Sequence, residues 1–157
     1  MRKLIITAFL FVSSMITNSN ADGHAIKMGI ILGFTGPIES LTPAMAASAE
    51  LAFKEASDSG SLLGGKYISV TRADSTCVDS AAAVTAAEGL VSAGTVAIMG
   101  ADCSGVTGAI AEKVAVPNGV VMISPSATSP GLTDINDRGY FFRTAPSDAR
   151  GGQILAD

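Results

Sequence analysis

The sequence predicts an α/β protein built on a doubly wound parallel sheet. Two observations carry that expectation. From Lys27 onward, apolar runs of strand length alternate with segments of helical periodicity. Such alternation gives a parallel sheet with helices on both faces. The predicted helices are also dominated by small residues, chiefly Ala and Gly, which suits close packing on a sheet.

The elements follow in order. Lys27 to Phe34, "KMGIILGF", is a continuous apolar run ending in the turn Gly33-Phe34-Thr35-Gly36-Pro37. Thr42 then reads as an N-cap with Pro43 at the first helical position. Met45, Ala49, Ala52, Phe53 and Ala56 line one face of that helix, and Gly60 and Gly64-Gly65 close the unit. Lys66 to Asp74 alternates like a half-buried strand. A second helix is predicted from about Val78 to Ala93, with Ala83, Ala87, Leu90 and Val91 inward and Gly94 at C′. Thr95 to Met99 is the third strand. Ser104 reads as the cap of a third helix carrying Thr107, Ile110, Ala111 and Val114 on one face. Gly119 to Ile123 is the fourth strand, Tyr140 to Arg143 a short fifth, and a helical pattern starts near Asp148. "GGQILAD" supplies no helix stop, so the sequence reads as part of something longer.

The 157 residues suffice for about one domain. Arg2 and Lys3 precede an apolar run from Leu4 to Ile16, and Ser19-Asn20-Ala21 offers small residues at cleavage spacing. Residues 1–21 therefore read as a secretory signal peptide and 22–157 as the mature domain. A retained anchor is the alternative, although a membrane span needs about 20 apolar residues. A net charge of −4, with no Lys/Arg cluster beyond the leader, argues against nucleic acid as a partner.

Cys77 and Cys103 are the two cysteines of a chain that reads as exported. An even count in an oxidising compartment favours a disulfide, worth about 3–4 kcal/mol by loop closure. The alternative, a catalytic Cys103, needs a base, and the one histidine is His24 near the mature N-terminus.

In parallel sheets ligands bind beyond the carboxyl ends of the strands. Three loops expected there, Gly36 to Thr42, Ala101 to Gly105 and Ser124 to Ser129, carry hydroxyls and small residues and should form one cleft wall. Gly100 and Gly105 have the spacing of a phosphate loop, but Val106 stands where its lysine must be. The dinucleotide fingerprint fails on glycine spacing after Gly33. A nucleophile elbow fails because Asp102, not glycine, stands two residues before Ser104. No catalytic residue, cofactor or metal is assigned. What remains is a binding site: Ser104 and the amides after it sit at a helix start suited to a carboxylate. The segment Ser126 to Thr128 adds a carbonyl and a hydroxyl. The plainer alternative makes Ser104 only a cap and Thr128 only a loop hydroxyl.

The segments "GFTGPIESLTPAMAASAELAFKEAS", "ADSTCVDS", "MGADCSGVTGAIAEKVAVPNGVVMISPSATSPGLTD" and "YFFRTAPSDARGG" resemble the N-terminal lobe of type I periplasmic solute-binding proteins. Within that fold they are most similar to the leucine/isoleucine/valine-binding group of ABC importers. The resemblance runs from Lys27 to Asp157. It implies a Cys77–Cys103 disulfide, a Ser104 hydroxyl and amide gripping a ligand α-carboxylate, and a Ser126 carbonyl facing the α-ammonium. It implies that Thr128, after Ala127 in the Pro-x-Ala-Thr loop, contacts both groups. It also implies two lobes joined by three crossings, the first following Phe142 to Asp148, with the second lobe absent here.

Two residues depart from the pattern. Leu41 sits where aliphatic amino-acid binders often place an aromatic side chain. Asp102 sits where they tend to have an apolar one; an acid there reads a polar ligand tail or points to solvent. The resemblance implies the periplasmic substrate-binding component of an ABC importer, with a permease in the inner membrane as partner. Its ligand would be an amino acid or a related small carboxylate or amide. A ligand-sensing periplasmic receptor domain of the same fold is the alternative.

Overall fold

A computed structural model describes residues 25–157. The expected signal peptide and its cleavage point lie outside the described residues. Five parallel strands form one sheet: β1 (Ala25–Leu32), β2 (Tyr67–Asp74), β3 (Ala97–Gly100), β4 (Val121–Ser124) and β5 (Phe141–Arg143). Their order across the sheet is β2-β1-β3-β4-β5, with Met28 beside Ala97, Ile98 beside Met122 and Met122 beside Phe141. The chain runs from β1 outward to β2, then returns past β1 to β3. That reversal is the switch point where open α/β sheets hold ligands.

The helices are α1 (Thr42–Asp58), α2 (Ser80–Ser92), α3 (Ser104–Ile110) and α4 (Asp148–Ala156). α1 covers one face, where Ile30 and Leu32 pack with Ala46, Met45, Ala49 and Phe53. α2 and α3 cover the other, where Ile31 and Ile98 join Ala83, Ala87, Leu90 and Ile110. The doubly wound expectation is met. It also explains why β1 is apolar on both faces: Ile30, Ile31 and Leu32 are all fully buried. Each such side chain contributes about 1.5–3 kcal/mol on leaving water. Gly29 lets α2 come close, because a Cβ there would lie 2.9 Å from Leu90 Cδ1.

Helix ends show where local reading succeeds and fails. α2 ends as expected, with Gly94 at φ +89°. The Gly94 N–H donates to the Val91 carbonyl and the Thr95 N–H to the Leu90 carbonyl, the pairing of a Schellman motif. Its start falls at Ser80 rather than Val78, because Asp79 accepts the Ala81 and Ala82 amides at 2.9 and 3.0 Å. Thr42 is not a cap. Leu41 flanks α1, and the buried Thr42 hydroxyl donates to the carbonyls of Gly33 (3.1 Å) and Glu39 (3.3 Å). Ser104 is likewise the first residue of α3 and not its cap, which is Cys103. The Ser104 hydroxyl faces another loop and is drawn there. α3 continues into a π-helical turn, Ala111–Ala115, which no feature of the sequence announced.

Candidate functional site

The loops leaving β1, β2, β3 and β4 meet at the carboxyl edge of the sheet, and hydrogen bonds tie them together. Asp102 lies at their centre. Its Oδ2 accepts the Gly33 N–H at 2.7 Å, and its Oδ1 accepts the Cys103 N–H at 2.9 Å and the Ser75 hydroxyl at 3.3 Å. Its carbonyl accepts the Ser126 hydroxyl at 3.0 Å. One residue thus touches all four loops. Only 4% of Asp102 is accessible, which rules out the alternative of an acid pointing to solvent: three N–H and O–H donors draw it inward. The adjacent Cys103 is bonded to Cys77, with 5.2 Å between their Cα atoms, so the β2 loop is also held covalently. The disulfide removes Cys103 as a nucleophile.

Ser104 accepts the amides of Thr128 (3.2 Å) and Ser129 (3.1 Å) through its hydroxyl oxygen. A serine oxygen has two acceptor sites and one hydrogen. Both acceptor sites are filled from the β4 loop, and the hydrogen is left to donate. That loop is braced from behind. The Ser124 hydroxyl accepts the Ala127 N–H, and Arg143 on β5 donates to the carbonyls of Ala127 (3.4 Å) and Ser129 (2.8 Å) and to the Thr133 hydroxyl (2.6 Å). Thr144 takes the Pro125 carbonyl and the Asp148 amide takes that of Thr128. Among the described residues no hydrogen bond reaches the carbonyl of Ser126. The Thr128 hydroxyl donates to Asp148 Oδ2 at 2.8 Å, so toward a ligand it presents lone pairs. Leu41, 62% exposed, stands at the start of α1.

The β1 loop is pinned a second time at its outer side. Thr35 donates its hydroxyl (2.6 Å) and amide (3.3 Å) to Asp74, which also accepts the Thr76 N–H at 2.8 Å. Burial alone would raise the Asp74 carboxyl; the Thr35 hydroxyl and the Thr76 and Thr35 amides outweigh it and hold it below its ordinary value. Gly36 packs onto Thr76, where a Cβ would fall 2.4 Å from the carbonyl oxygen.

The structure therefore places Asp102, Ser104, Ser126, Ala127 and Thr128 in one bonded wall, with Leu41 on the segment that the Gly33–Asp102 bond joins to it. Sequence reasoning missed Thr42, Ser75, Arg143 and Asp148. Arg143 ends a short strand and Asp148 opens a helix, positions where charged residues are ordinary, so no local pattern singled them out. No histidine lies among the described residues, and no group of three metal-ligating side chains is assembled there.

An open parallel sheet with a hydroxyl-bearing wall at its switch point is the lobe architecture in which α/β proteins hold small ligands. The chain belongs to the periplasmic binding protein family, whose model matches residues 25–157. The leucine-specific-binding protein of Salmonella typhimurium is 30% identical over 158 residues, covering 99% of this chain and 41% of that protein. A branched-chain amino acid transporter substrate-binding protein from Streptococcus pneumoniae, solved in complex with isoleucine, superposes with a TM-score of 0.70 at 32% identity. It covers 80% of this chain and 35% of its own. An ABC transporter substrate-binding protein from Desulfitobacterium hafniense, complexed with Leu, gives a TM-score of 0.70 at 30% identity. That match covers 84% of this chain and 37% of the other. The chain thus spans less than half the length of these relatives.

Proposed function

We propose that this chain is a ligand-binding lobe of the substrate-binding component of an ABC importer, taking an amino acid or a related small carboxylate or amide. The observation that carries the reading is the state of the Ser104 hydroxyl. Its two acceptor sites are filled by the Thr128 and Ser129 amides, leaving one hydrogen for a carboxylate oxygen. Two accepted N–H bonds also polarise the hydroxyl and strengthen it as a donor.

On this reading the ligand carboxylate sits at Ser104 and the first amides of α3. The ammonium sits against the acceptor side, at the Ser126 carbonyl and the Thr128 oxygen, and the tail runs toward Leu41. Asp102 lies beneath as a brace. A second lobe closes over the ligand, and affinity is the free-energy difference between the closed liganded state and the open one. No bond is made or broken. The closed form is presented to a permease in the inner membrane, with the protein in the periplasm after removal of its signal peptide.

The test is a thermal-shift screen of the protein made from its complete reading frame. The panel holds L-leucine, L-isoleucine and L-valine, their amides, and simple aromatic carboxylates. A micromolar ligand at millimolar concentration adds about 4 kcal/mol of stability. Stabilisation by a member of the panel upholds the reading. A flat response across the panel overturns it.

A further inference from the structure

We propose that Asp102, Gly33 and Thr42 form a buried hydrogen-bond relay that sets the Leu41 side of the cleft against the Ser104 side. Asp102 and Thr42 are then positioning residues for the ligand tail. The inference rests on the ligand-binding reading above and goes beyond it, because neither residue need touch the ligand.

The peptide groups on either side of Gly33 are gripped from opposite ends of the wall. Its N–H donates to Asp102 Oδ2 at 2.7 Å, and its carbonyl accepts the Thr42 hydroxyl at 3.1 Å. All three residues are buried, Asp102 to 4% and Thr42 to 0% accessibility. The relay ends where the site begins: Asp102 is two residues before Ser104, and Thr42 directly follows Leu41. Space is tight along it. A Cβ on Gly33 would lie 3.2 Å from Cys77 Cβ and 3.4 Å from Asp102 Oδ2. The Asp102 carboxylate has hydrogen-bond donors but no cationic partner among the ion pairs of the described residues. Removing the acceptor would leave buried N–H groups unpaired, the costly way to lose a hydrogen bond.

The division of labour follows from the chemistry. Ser104 faces the carboxylate that every amino acid carries, so its loss weakens all ligands by one factor. The relay sets how far Leu41 stands from Ser104, so its loss changes the ranking of tails of different size.

The experiment uses the protein from the complete reading frame and titrates L-isoleucine, L-leucine and L-alanine calorimetrically. Asp102→Ala and Thr42→Val should each weaken L-isoleucine about tenfold, the size of one buried hydrogen bond to a charged or tightly held group. Each should also change the isoleucine-to-alanine affinity ratio. The double variant should be no worse than the weaker single one, since both break the same relay. Thr42→Ser, which keeps the hydroxyl, should bind as the unaltered protein does. Unchanged ratios in the folded variants, or strictly additive losses, would overturn the relay. If Asp102→Ala fails to fold, the contrast between Thr42→Val and Thr42→Ser decides alone. If the unaltered protein binds none of the three, the ligand that answers the thermal-shift panel and a smaller analogue of it replace them; if the whole panel is flat, the functional reading fails and amide exchange judges the relay. Protection of residues 33–42 must then fall in Thr42→Val and hold in Thr42→Ser; equal protection in both overturns it.

Discussion

The hydroxyl of Ser104 accepts the Thr128 N–H at 3.2 Å, across 24 residues of sequence. This bond makes Ser104 the anchor of the β4 loop, besides the ligand contact proposed for its remaining hydrogen. Ser104→Ala should therefore do two things at once. It should lower affinity for every ligand of a series by the same factor, about tenfold or more, and it should lower the melting temperature of the free protein. Calorimetric titration beside a thermal melt reads both. Undiminished affinity would remove Ser104 from the site.

The Cys77–Cys103 bond closes a loop with a sequence separation of 26 residues. Replacing both cysteines by serine should cost about 3–4 kcal/mol of stability on the chain-entropy account. Urea denaturation checks this through the midpoint. A loss below about 1 kcal/mol would mean that loop closure matters little beside the hydrogen bonds around Asp102.

Gly36 and Gly105 make a matched pair for substitution. At Gly36, φ is +96° and a Cβ would lie 2.4 Å from the Thr76 carbonyl oxygen, whereas at Gly105 nothing lies within 4 Å. Gly36→Ala should destabilise by at least about 1–3 kcal/mol and separate the β1 and β2 loops. Gly105→Ala should leave stability unchanged or slightly raised, since alanine favours the helix. Equal melting temperatures for the two variants would contradict this account of the Gly36–Thr76 contact.

Asp74 gives the acid limb of stability a specific origin. Its carboxyl titrates below its ordinary value because Thr35 and the Thr76 amide favour the ionised form over the opposing effect of burial. A lowered folded-state value means that the contribution is complete above the unfolded value, about pH 4, and is lost as pH falls through the folded one. Thr35→Val should reduce stability at neutral pH and flatten the decline below about pH 4. Chemical denaturation from pH 7 to pH 2.5 would show it, and parallel curves for the two proteins would argue against it.

The fold is legible because strand and helix periods alternate without interruption, and five strands fall where the apolar runs do, within two residues at every end. Small-residue faces such as Ala83, Ala87 and Leu90 identified the inner side of α2. The cap positions of α1 and α3 were misread for one reason. Thr42 and Ser104 stand beside helix starts, but the Thr42 hydroxyl turns back to Gly33 at the far end of its own loop and the Ser104 hydroxyl receives amides of the β4 loop, and sequence periodicity carries no information about either partner. The solvent-facing alternative for Asp102 fails for a related reason. An acid is usually exposed, and its inward turn depends on Gly33 and Ser75, which come from two other strand ends. The wall's composition could be read locally, but its bonds could not.

The order of the sheet also bears on how the protein comes into being. Chains are synthesised from the N-terminus, and β1 gains its first neighbour, β2, early. Its other neighbour, β3, arrives only after α2 has been made, and the Gly33 amide waits 69 residues for Asp102. Until then β1 carries an open apolar edge, the kind of surface that makes incomplete chains prone to associate. A chain that has formed β1, β2 and α2 but not β3 thus carries an unpaired strand edge, and pairing β3 both closes that edge and brings Asp102 to Gly33.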